Sequence, residues 1–358
     1  MNKPVKVFLL GIFSLIMAIL IFTGFLYWNF VFQPSTPQAK EVIFEVTPQK
    51  SFIAIAQELE KAQLIKNAKF FNIYARLTGY RSKIKVGEYA LRANMRPKEI
   101  LAVITSGISI AKPLTIPEGY NIFEIAEVIA KFGLASKEDF LKLVFDKNYI
   151  KTVLSGDPEL SEVESLEGFL YPETYQVTKY MDLKEVIAAQ VKQFRQVFKT
   201  VLLEKKINNL NSKQILTLAS IIEKETGNPS ERGLISSVFH NRLAKKMRLQ
   251  TDPTILYGKP IQSKTLENNI TKADLVSTTN PYNTYTIPAL PPGPISNPGK
   301  ASLMAAVQPA TTNYLYFVSQ NDGTSRFTES LNDHNKNVQE TQLNSKAREG
   351  KSWRDLNR

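Results

Sequence analysis

Two glutamates, Glu223 and Glu225, lie at the end of an apolar helical pattern that runs through Ile215, Leu218 and Ile222. At about 100° per residue, Glu223 falls at one edge of the apolar stripe and Glu225 at the other. A carboxyl group at such an edge is partly desolvated, and desolvation favours the protonated form that a general acid needs. Glu223 is therefore a candidate general acid, although a solvated carboxylate is the commoner role of a glutamate on a surface helix.

The residue types that are absent narrow the possible chemistry. No cysteine occurs among the 358 residues, which excludes disulfides, thiolate metal sites and cysteine nucleophiles. The two histidines, His240 and His334, form no H-E-x-x-H pattern, so we expect neither a metal centre nor a cofactor. Residues 109–112 fit the S-x-x-K pattern of penicillin-binding acyl enzymes. They precede Pro113 in a strand-like stretch and no K-T-G follows, so we set that class aside.

A long loop with little periodicity, residues 279–295, combines prolines with tyrosines and asparagines. Proline-stiffened loops of this length are usually functional, and these side chains suit sugars because aromatic faces stack and amides bind hydroxyl groups. Before this loop, Asp252 is the best candidate for a second carboxylate, although T-D-P more often caps a turn. The candidate glycan-binding residues, for each of which loop packing is an equal explanation, are Gln250, Asp252, Tyr282, Asn283, Tyr285 and Asn335.

The N-terminal sequence indicates where these residues work. Residues 7–32 form an uncharged apolar run of 26 residues, about 39 Å long as a helix and sufficient to cross a bilayer. Lys3 and Lys6 precede the run, which places the short segment 1–6 in the cytoplasm. A cleaved signal peptide is disfavoured because the run is too long and no A-x-A site follows. We therefore predict a single-pass anchor in the cytoplasmic (inner) membrane, with the rest of the chain outside it.

The charge of the chain indicates the kind of partner. The 45 basic and 33 acidic residues give a formal net charge of +12, which favours an anionic partner. Outside the cytoplasmic membrane, the suitable partners are peptidoglycan and the anionic membrane surface. Nucleic acid is not expected there.

The first half of the outer chain predicts small α+β modules. Strand patterns flank two helical patterns, the first capped by Ser51, which gives a βααβ module within residues 41–110. A partial repeat follows at an offset of 70 residues within 111–205, where Ile125-Ala126 matches Ile55-Ala56. The module resembles LysM-type domains, which bind N-acetylglucosamine-containing glycans. A generic α+β spacer explains the pattern equally well.

The elements that must position Glu223 lie within residues 206–340, the predicted mixed α/β catalytic domain. The helix that carries Glu223 is followed by a second helix, for which Ser230 is the expected cap. A hairpin is predicted over Asn321-Asp322-Gly323, a strong turn signal. Residues 341–358 are charged and predict a solvated tail. The fold class is α+β throughout.

Several stretches together resemble one known family, the MltG (YceG-like) proteins. The resemblance rests on L-E-G-F-L-Y-P-E-T-Y, L-A-S-I-I-E-K-E-T, E-R-x-x-I-S-S-V-F-x-N-R-L, M-R-L-Q-T-D-P-T-I-L-Y-G, Y-N-T-Y-T-I-x-x-L-P-P-G-P-I-x-N-P-G and H-N-K-N-V-Q. It implies a membrane-anchored endolytic murein transglycosylase with a LysM-like region before its catalytic core. It also implies that the catalytic acid is the first acid of I-E-K-E, which is Glu223.

An enzyme of this family, as the resemblance implies, cuts the β-1,4 bond between N-acetylmuramic acid and N-acetylglucosamine without water and leaves a 1,6-anhydro end. Glu223 would serve first as acid and then as base, with Glu225 in a structural role. The resemblance also implies the ending of nascent glycan strands in company with peptidoglycan synthases. Two alternatives stay open: a non-catalytic LysM-like scaffold that binds peptidoglycan, and a hydrolytic muramidase in which Asp252 is the second carboxylate.

Overall fold

The computed structural model describes residues 3–156, 160, 163–205, 209–225, 227–263 and 270–343; the side chains of 3–7 and 260–263 are outside this description. Its contacts divide the chain into two compact units. The first, here called the N-terminal unit, comprises Met1–Pro113 and Gln176–Met181. The second, the C-terminal unit, comprises Leu114–Tyr175 and Asp182–Arg358. The predicted tail at 341–358 lies outside the described residues from position 344 onward.

The apolar N-terminal run is a single helix, α1 (Lys3–Phe32). Its stretch Phe8–Phe32, 25 residues, is the one helix in the described part of the chain that is long and apolar enough to cross a membrane. The prediction of a continuous apolar helix is therefore confirmed. An N-terminal signal sequence has the same composition, so the anchoring function stays a prediction.

The N-terminal unit contains the predicted β-α-α-β order. After α1, its elements are β1 (Glu41–Val46), α2 (Phe52–Lys61), α3 (Ala68–Leu77), β2 (Gly87–Arg92) and α4 (Pro97–Ser106). The two strands pair antiparallel, from Glu41 opposite Arg92 to Val46 opposite Gly87. The Ser51 hydroxyl accepts a hydrogen bond from the Ala54 N–H at the start of α2, as its cap position predicts. The likeness to LysM domains stays a prediction.

The partial repeat at an offset of 70 residues also has a structural counterpart. The elements that follow α4 are β3 (Ala111–Thr115), α5 (Ile122–Phe132), α6 (Lys137–Val144), α7 (Lys147–Val153), β4 (Thr174–Thr178) and α8 (Leu183–Leu203). Strands β3 and β4 form a two-stranded sheet. Ile125 and Ala126 on α5 are buried, as are Ile55 and Ala56 on α2. The matching apolar pairs therefore mark the inward face of a helix in both copies.

The rest of the C-terminal unit is mainly helical. Its elements are α9 (Ser212–Glu225), α10 (Arg232–Ala244), α11 (Asp252–Ser263), α12 (Lys272–Val276), α13 (Lys300–Val307), β5 (Tyr316–Ser319), β6 (Ser325–Thr328) and α14 (Leu331–Val338). β5 and β6 form the predicted antiparallel hairpin. The short α13 packs against α8, α9 and α10. Its small residues Ser302, Ala305 and Ala306 are buried, which allows this close approach.

The start of α10 differs from the prediction that Ser230 caps it. A 3₁₀ turn, Pro229–Glu231, precedes α10, and the Asn228 side chain caps that turn by accepting a hydrogen bond from the Ser230 N–H at 3.1 Å. The prediction was wrong because asparagine is as good a cap as serine, and Pro229 fixes the first position of the turn after Asn228.

Candidate active site

Glu223 lies on a helix that is buried on almost every side. The residues of α9 from Ile215 to Ile222 are all buried, so the expected apolar stripe is nearly a complete apolar cylinder. The Glu223 side chain follows this stretch and is only 6% exposed. The sequence placed Glu223 at the edge of the apolar face, and the structure places it deeper than that.

The carboxylate of Glu223 is held by two donors. The backbone N–H of Gly299, which caps α13, donates to its Oε2 at 2.9 Å. Arg232, at the start of α10, donates from Nη2 to its Oε1 at 3.3 Å. The Nε of Arg232 donates to the Ser302 hydroxyl at 3.1 Å, which fixes the guanidinium. The carboxylate therefore has a defined position where α9, α10 and α13 converge.

A second carboxyl group, Glu118, stands beside this arrangement. A methyl group added at Gly299 would come within 2.0 Å of Glu118 Oε1, so the Glu118 carboxylate lies directly against the backbone that binds Glu223. Partial burial raises the pKa of Glu118, the charge of Glu223 raises it further, and Arg232 opposes the shift. Glu118 is an exposed residue, whereas the side chain of Glu223 is only 6% exposed. The two carboxylates thus form a pair with one member open to solvent.

Sequence reasoning missed both Glu118 and Arg232. Glu118 stands in a Pro-Glu-Gly turn that predicts only a change of chain direction. Arg232 is part of a family-like stretch, but nothing in its spacing assigns it a role. Glu118 and Glu223 are 105 positions apart, and no periodic pattern in the sequence predicts that they meet. The only signal in the sequence that pointed to Glu118 was an acidic residue in a turn with no evident partner.

Asn297 and Glu167 hold the segments around Glu118 and Gly299 together. The buried Glu167 accepts hydrogen bonds from the Ile122 N–H at 3.0 Å and from Asn297 Nδ2 at 2.8 Å. Asn297 also donates to the Tyr120 carbonyl at 2.9 Å and accepts from the Leu170 N–H at 2.8 Å. Burial raises the pKa of Glu167 to about 8. The L-E-G-F-L-Y-P-E-T-Y stretch, unassigned by sequence, thus joins the turn at Glu118 to the loop before α13.

The same loop is fastened to α9 one turn before Glu223. The Ser220 hydroxyl accepts a hydrogen bond from the Ile295 N–H at 3.0 Å. The Ser296 hydroxyl donates to the Ser220 carbonyl at 3.1 Å. Both serines are fully buried. The helix that carries the candidate acid and the loop that supplies Gly299 therefore form one rigid support.

A separate pair of carboxylates surrounds Glu225. Burial raises the pKa of Glu225 to about 8, the charge of Asp252 adds to the shift, and Arg242 opposes it. Asp252, the first residue of α11, accepts a hydrogen bond from the Tyr285 hydroxyl at 2.7 Å. Arg242 is buried and donates to the Leu315 and Leu249 carbonyls at 2.7 and 2.8 Å. Asp252 thus acts electrostatically on Glu225, whereas Glu223 acts on Glu118.

We expect the pKa of Glu225 to show in the pH dependence of stability. Its pKa is about 8 in the folded chain and near 4.5 when unfolded, so its stabilising contribution is complete below pH 4.5 and is lost as pH rises through 8. In the original chain, the loss of this contribution of Glu225 lowers the unfolding free energy between pH 5 and 8. In Glu225→Gln this decrease should be smaller by a few kcal/mol, because each pKa unit corresponds to about 1.4 kcal/mol. Urea unfolding of the full chain in detergent at both pH values measures this. An unchanged pH dependence in the variant would contradict it.

The structure brings three predicted glycan-binding residues together. Asp252 bonds Tyr285, and the exposed Gln250 donates from its N–H to the Thr284 carbonyl at 3.2 Å. Gln250 has a φ of 53°, a left-handed conformation that few non-glycine residues adopt. Such strain is common at ligand sites.

The other three predicted glycan-binding residues are dispersed. Tyr282 packs edge-on against Tyr257, with ring centroids 5.0 Å apart. Asn283 is fully buried and its Nδ2 donates to backbone carbonyls of Asp274 and Ser277 at 3.0 and 2.8 Å, which folds the loop. Asn335 is exposed on α14. Among the described side chains, no group of three or more acids and histidines is placed to hold a metal ion.

This architecture matches one known class of proteins. The sequence model of the YceG-like family matches residues 44–340, so the chain belongs to the YceG-like family. A relative from Bacillus subtilis (strain 168), named endolytic murein transglycosylase, is 35% identical over 324 residues, or 87% of this chain and 88% of the relative. A relative of the same name from Streptococcus pneumoniae (strain D39) is 30% identical over 374 residues, which cover 96% of this chain and 66% of the relative.

A solved structure agrees with the family assignment. The crystal structure of a yceG-like protein from Listeria monocytogenes is 34% identical to this chain and superposes with a TM-score of 0.55. The match covers 84% of this chain and 99% of that one.

Proposed function

We propose that the chain is an endolytic murein transglycosylase that cleaves the bond between N-acetylmuramic acid and N-acetylglucosamine and leaves a 1,6-anhydro end. The name of its relatives supports the activity. One structural observation carries the assignment of the site: the buried Glu223 carboxylate is fixed by Gly299 and Arg232 beside the exposed Glu118. A carboxyl group that is fixed in position and shielded from water is suited to act as a general acid and base.

In the proposed reaction, Glu223 donates one proton and later accepts another. Protonated Glu223 donates to the glycosidic oxygen, the bond to C1 of the muramyl residue breaks, and positive charge develops at C1. The carboxylate then takes the proton of the C6 hydroxyl as its oxygen attacks C1. The ring closes as the 1,6-anhydro product, and Glu223 is protonated again. No water enters, so no carboxylate is needed to activate one.

Arg232 and the Gly299 N–H have a defined part in this cycle. Both donate to Glu223, and hydrogen bonds from charged or helix-terminal donors stabilise the carboxylate that exists between the two proton transfers. Both are fixed by the protein, Arg232 through Ser302 and Gly299 through its place at the start of α13. The carboxylate therefore does not need to reorient between donating and accepting the proton.

Glu118 is the carboxylate best placed to assist. Partial burial and the charge of Glu223 raise the pKa of Glu118, which reflects the electrostatic interaction of the two carboxylates. Glu118 is also the solvent-exposed member of the pair, so its charge is available to stabilise the positive charge that develops at C1 of a bound glycan. We therefore assign the second-carboxylate role to Glu118 and not to Asp252, whose charge acts on Glu225.

We expect Glu118→Gln to lower kcat by on the order of 100-fold, at the lower end of the effect of removing one electrostatic contact from an active site. Gly299→Ala is the matched variant. The φ of Gly299, −74°, suits any residue, but the added methyl group would displace the Glu118 carboxylate. It should reproduce the loss, and the double variant should be no worse than either single one. Full activity of Glu118→Gln, or additive losses, would contradict the role of Glu118.

The proposed activity is tested by digesting purified peptidoglycan with the full chain in detergent and identifying the new sugar ends by mass spectrometry. Anhydromuramyl ends produced within glycan chains support the proposal. Reducing muramic acid ends would make the protein a hydrolytic muramidase, with Glu118 or Asp252 activating water. Binding of peptidoglycan without cleavage would favour the non-catalytic scaffold.

We further propose that α1 anchors the protein in the cytoplasmic membrane, with its N-terminus in the cytoplasm and the chain that follows α1 outside. A helix of 25 apolar residues supports this. From that position the enzyme would cut nascent strands near their site of synthesis and so end their elongation, beside peptidoglycan synthases. Gln250, Asp252, Tyr282, Tyr285 and Asn335 are the proposed glycan contacts. Asn283, whose amide is buried in the loop, is assigned to loop structure.

A further inference from the structure

Helix α3 of the N-terminal unit is apolar on two faces. Phe71 and Ala75 face inward and are fully buried. Phe70, Ile73 and Leu77, at spacings of three and four residues, form a second apolar face and are 40%, 42% and 69% exposed. We call this set the outer face of α3. A helix of a soluble domain normally has polar residues there, so the outer face points to a contact outside the unit.

The outer face adjoins the end of α1. The rings of Phe70 and Phe30 lie 5.7 Å apart, and those of Tyr74 and Tyr27 lie 6.3 Å apart. The step from Phe70 forward to Tyr74 on α3 therefore matches the step from Phe30 back to Tyr27 on α1. The two helices run antiparallel. The C-terminal end of α3, at Leu77, points back along α1 toward the apolar span.

The length of the span gives the depth of this contact. Twenty-five helical residues extend about 37 Å, whereas the hydrocarbon core of a bilayer is about 30 Å thick. Several residues at the end of α1 therefore lie in the interfacial layer, where tyrosine and tryptophan are enriched and where Tyr27 and Trp28 stand. Because α3 contacts α1 at Tyr27 and Phe30, α3 lies at the same level.

The charges near α3 fit a lipid surface. Residues 61–87 contain no acidic residue and seven basic ones: Lys61, Lys66, Lys69, Arg76, Arg81, Lys83 and Lys85. This stretch carries more than half of the formal net charge of +12. Apolar side chains accompanied by lysine and arginine are typical of a segment that inserts into the lipid interface and binds anionic headgroups.

We propose that α3 is an interfacial helix that inserts its outer face into the membrane that α1 crosses, with the surrounding basic residues on anionic phospholipid headgroups. The proposal rests on the proposed anchoring by α1. Continuity with the end of α1 favours a bilayer over a protein partner or a second copy of the chain, because the contact with α1 brings α3 to the membrane surface. The βααβ module thereby contacts the membrane at a second point.

The absence of cysteine allows a direct test, since single cysteines can be labelled uniquely. The full chain is placed in vesicles of phosphatidylglycerol and phosphatidylethanolamine, and a polarity-sensitive fluorophore is attached to Leu77→Cys, Ile43→Cys or Ile16→Cys. Ile43 is 65% exposed, like Leu77, but lies on β1, where its neighbour Phe44 faces the core. Ile16 lies within the span and reports on anchoring alone.

We expect lipids that carry a nitroxide at the headgroup to quench the Leu77 label about twofold or more over the Ile43 label. Lipids with a deep nitroxide should quench the Ile16 label. Equal quenching at Leu77 and Ile43, with Ile16 still quenched, would overturn the interfacial helix and leave anchoring intact. A Leu77 label in an apolar environment without lipid quenching would mean that protein covers the outer face and would also overturn it. No quenching at Ile16 would overturn anchoring and this proposal together.

Discussion

Replacing Glu223 with glutamine is expected to abolish cleavage of peptidoglycan, with a loss of rate of about 10²- to 10⁴-fold or more, because the variant has no proton to donate and cannot accept one. The amide oxygen can still accept the hydrogen bond from Gly299, but the amide nitrogen would face Arg232. The chain should therefore fold with modest destabilisation. The rate of formation of new anhydromuramyl ends measures the activity, and thermal unfolding monitors the fold.

Glu225→Gln is the matched control for Glu223→Gln, since it removes a carboxyl group from the same helix two residues away. Its partners are Asp252 and Arg242, not the groups around Glu223. We expect activity within about tenfold of the original chain. If Glu223→Gln retained activity, or if Glu225→Gln lost as much, the assignment of the acid to Glu223 would be wrong.

The second large effect is expected on stability, from Asn297→Ala. The change removes three side-chain hydrogen bonds, two of them buried, and leaves the Leu170 N–H without the Asn297 Oδ1 acceptor. The Tyr120 carbonyl keeps the hydrogen bond from the backbone N–H of position 297, and Glu167 keeps the one from the Ile122 N–H. The unsatisfied Leu170 N–H costs about 1–3 kcal/mol and each of the other two lost hydrogen bonds about 0.5–1.5 kcal/mol, so we expect a total loss on the order of 2–5 kcal/mol. Activity should fall as well, because the turn that carries Glu118 is then held to position 297 by backbone hydrogen bonds alone.

Ser296→Ala provides the comparison for Asn297→Ala at the neighbouring position. Ser296 donates one hydrogen bond, to the Ser220 carbonyl at 3.1 Å, so its loss should cost about 1 kcal/mol. Unfolding in urea, followed by circular dichroism of the full chain in detergent, gives both values. Equal losses for the two variants would show that Asn297 is not the organising residue of this region.

The sequence predicted those parts of the fold that local signals determine. The cap at Ser51 and the Asn-Asp-Gly turn are each contained within a few residues; α2 begins at the first, and the second lies between the two strands of the hairpin. The helical spacing of the apolar residues and the family resemblance together identified Glu223 as the candidate general acid. Where two capping residues stand close together, at Asn228 and Ser230, the same reasoning chose the wrong one.

The surroundings of Glu223 could not be predicted because they depend on contacts between distant parts of the chain. Gly299 and Glu118 are 76 and 105 residues from Glu223, and no periodicity joins such positions. The role of Asn297 depends on the pairing of its amide with Glu167, 130 residues away. Polar side chains in loops form such contacts only after the apolar helices have packed, so their partners appear only in the folded chain.

The absence of a side chain at Gly299 has an evolutionary consequence. The space that a Cβ would occupy is filled by the carboxylate of Glu118, so a larger residue at 299 would turn the end of the Glu118 side chain away from its present position. Neither position can drift alone without disturbing the carboxylate pair. Any lineage that acquires a side chain at 299 must shorten or redirect the residue at 118, and the two positions should therefore change together.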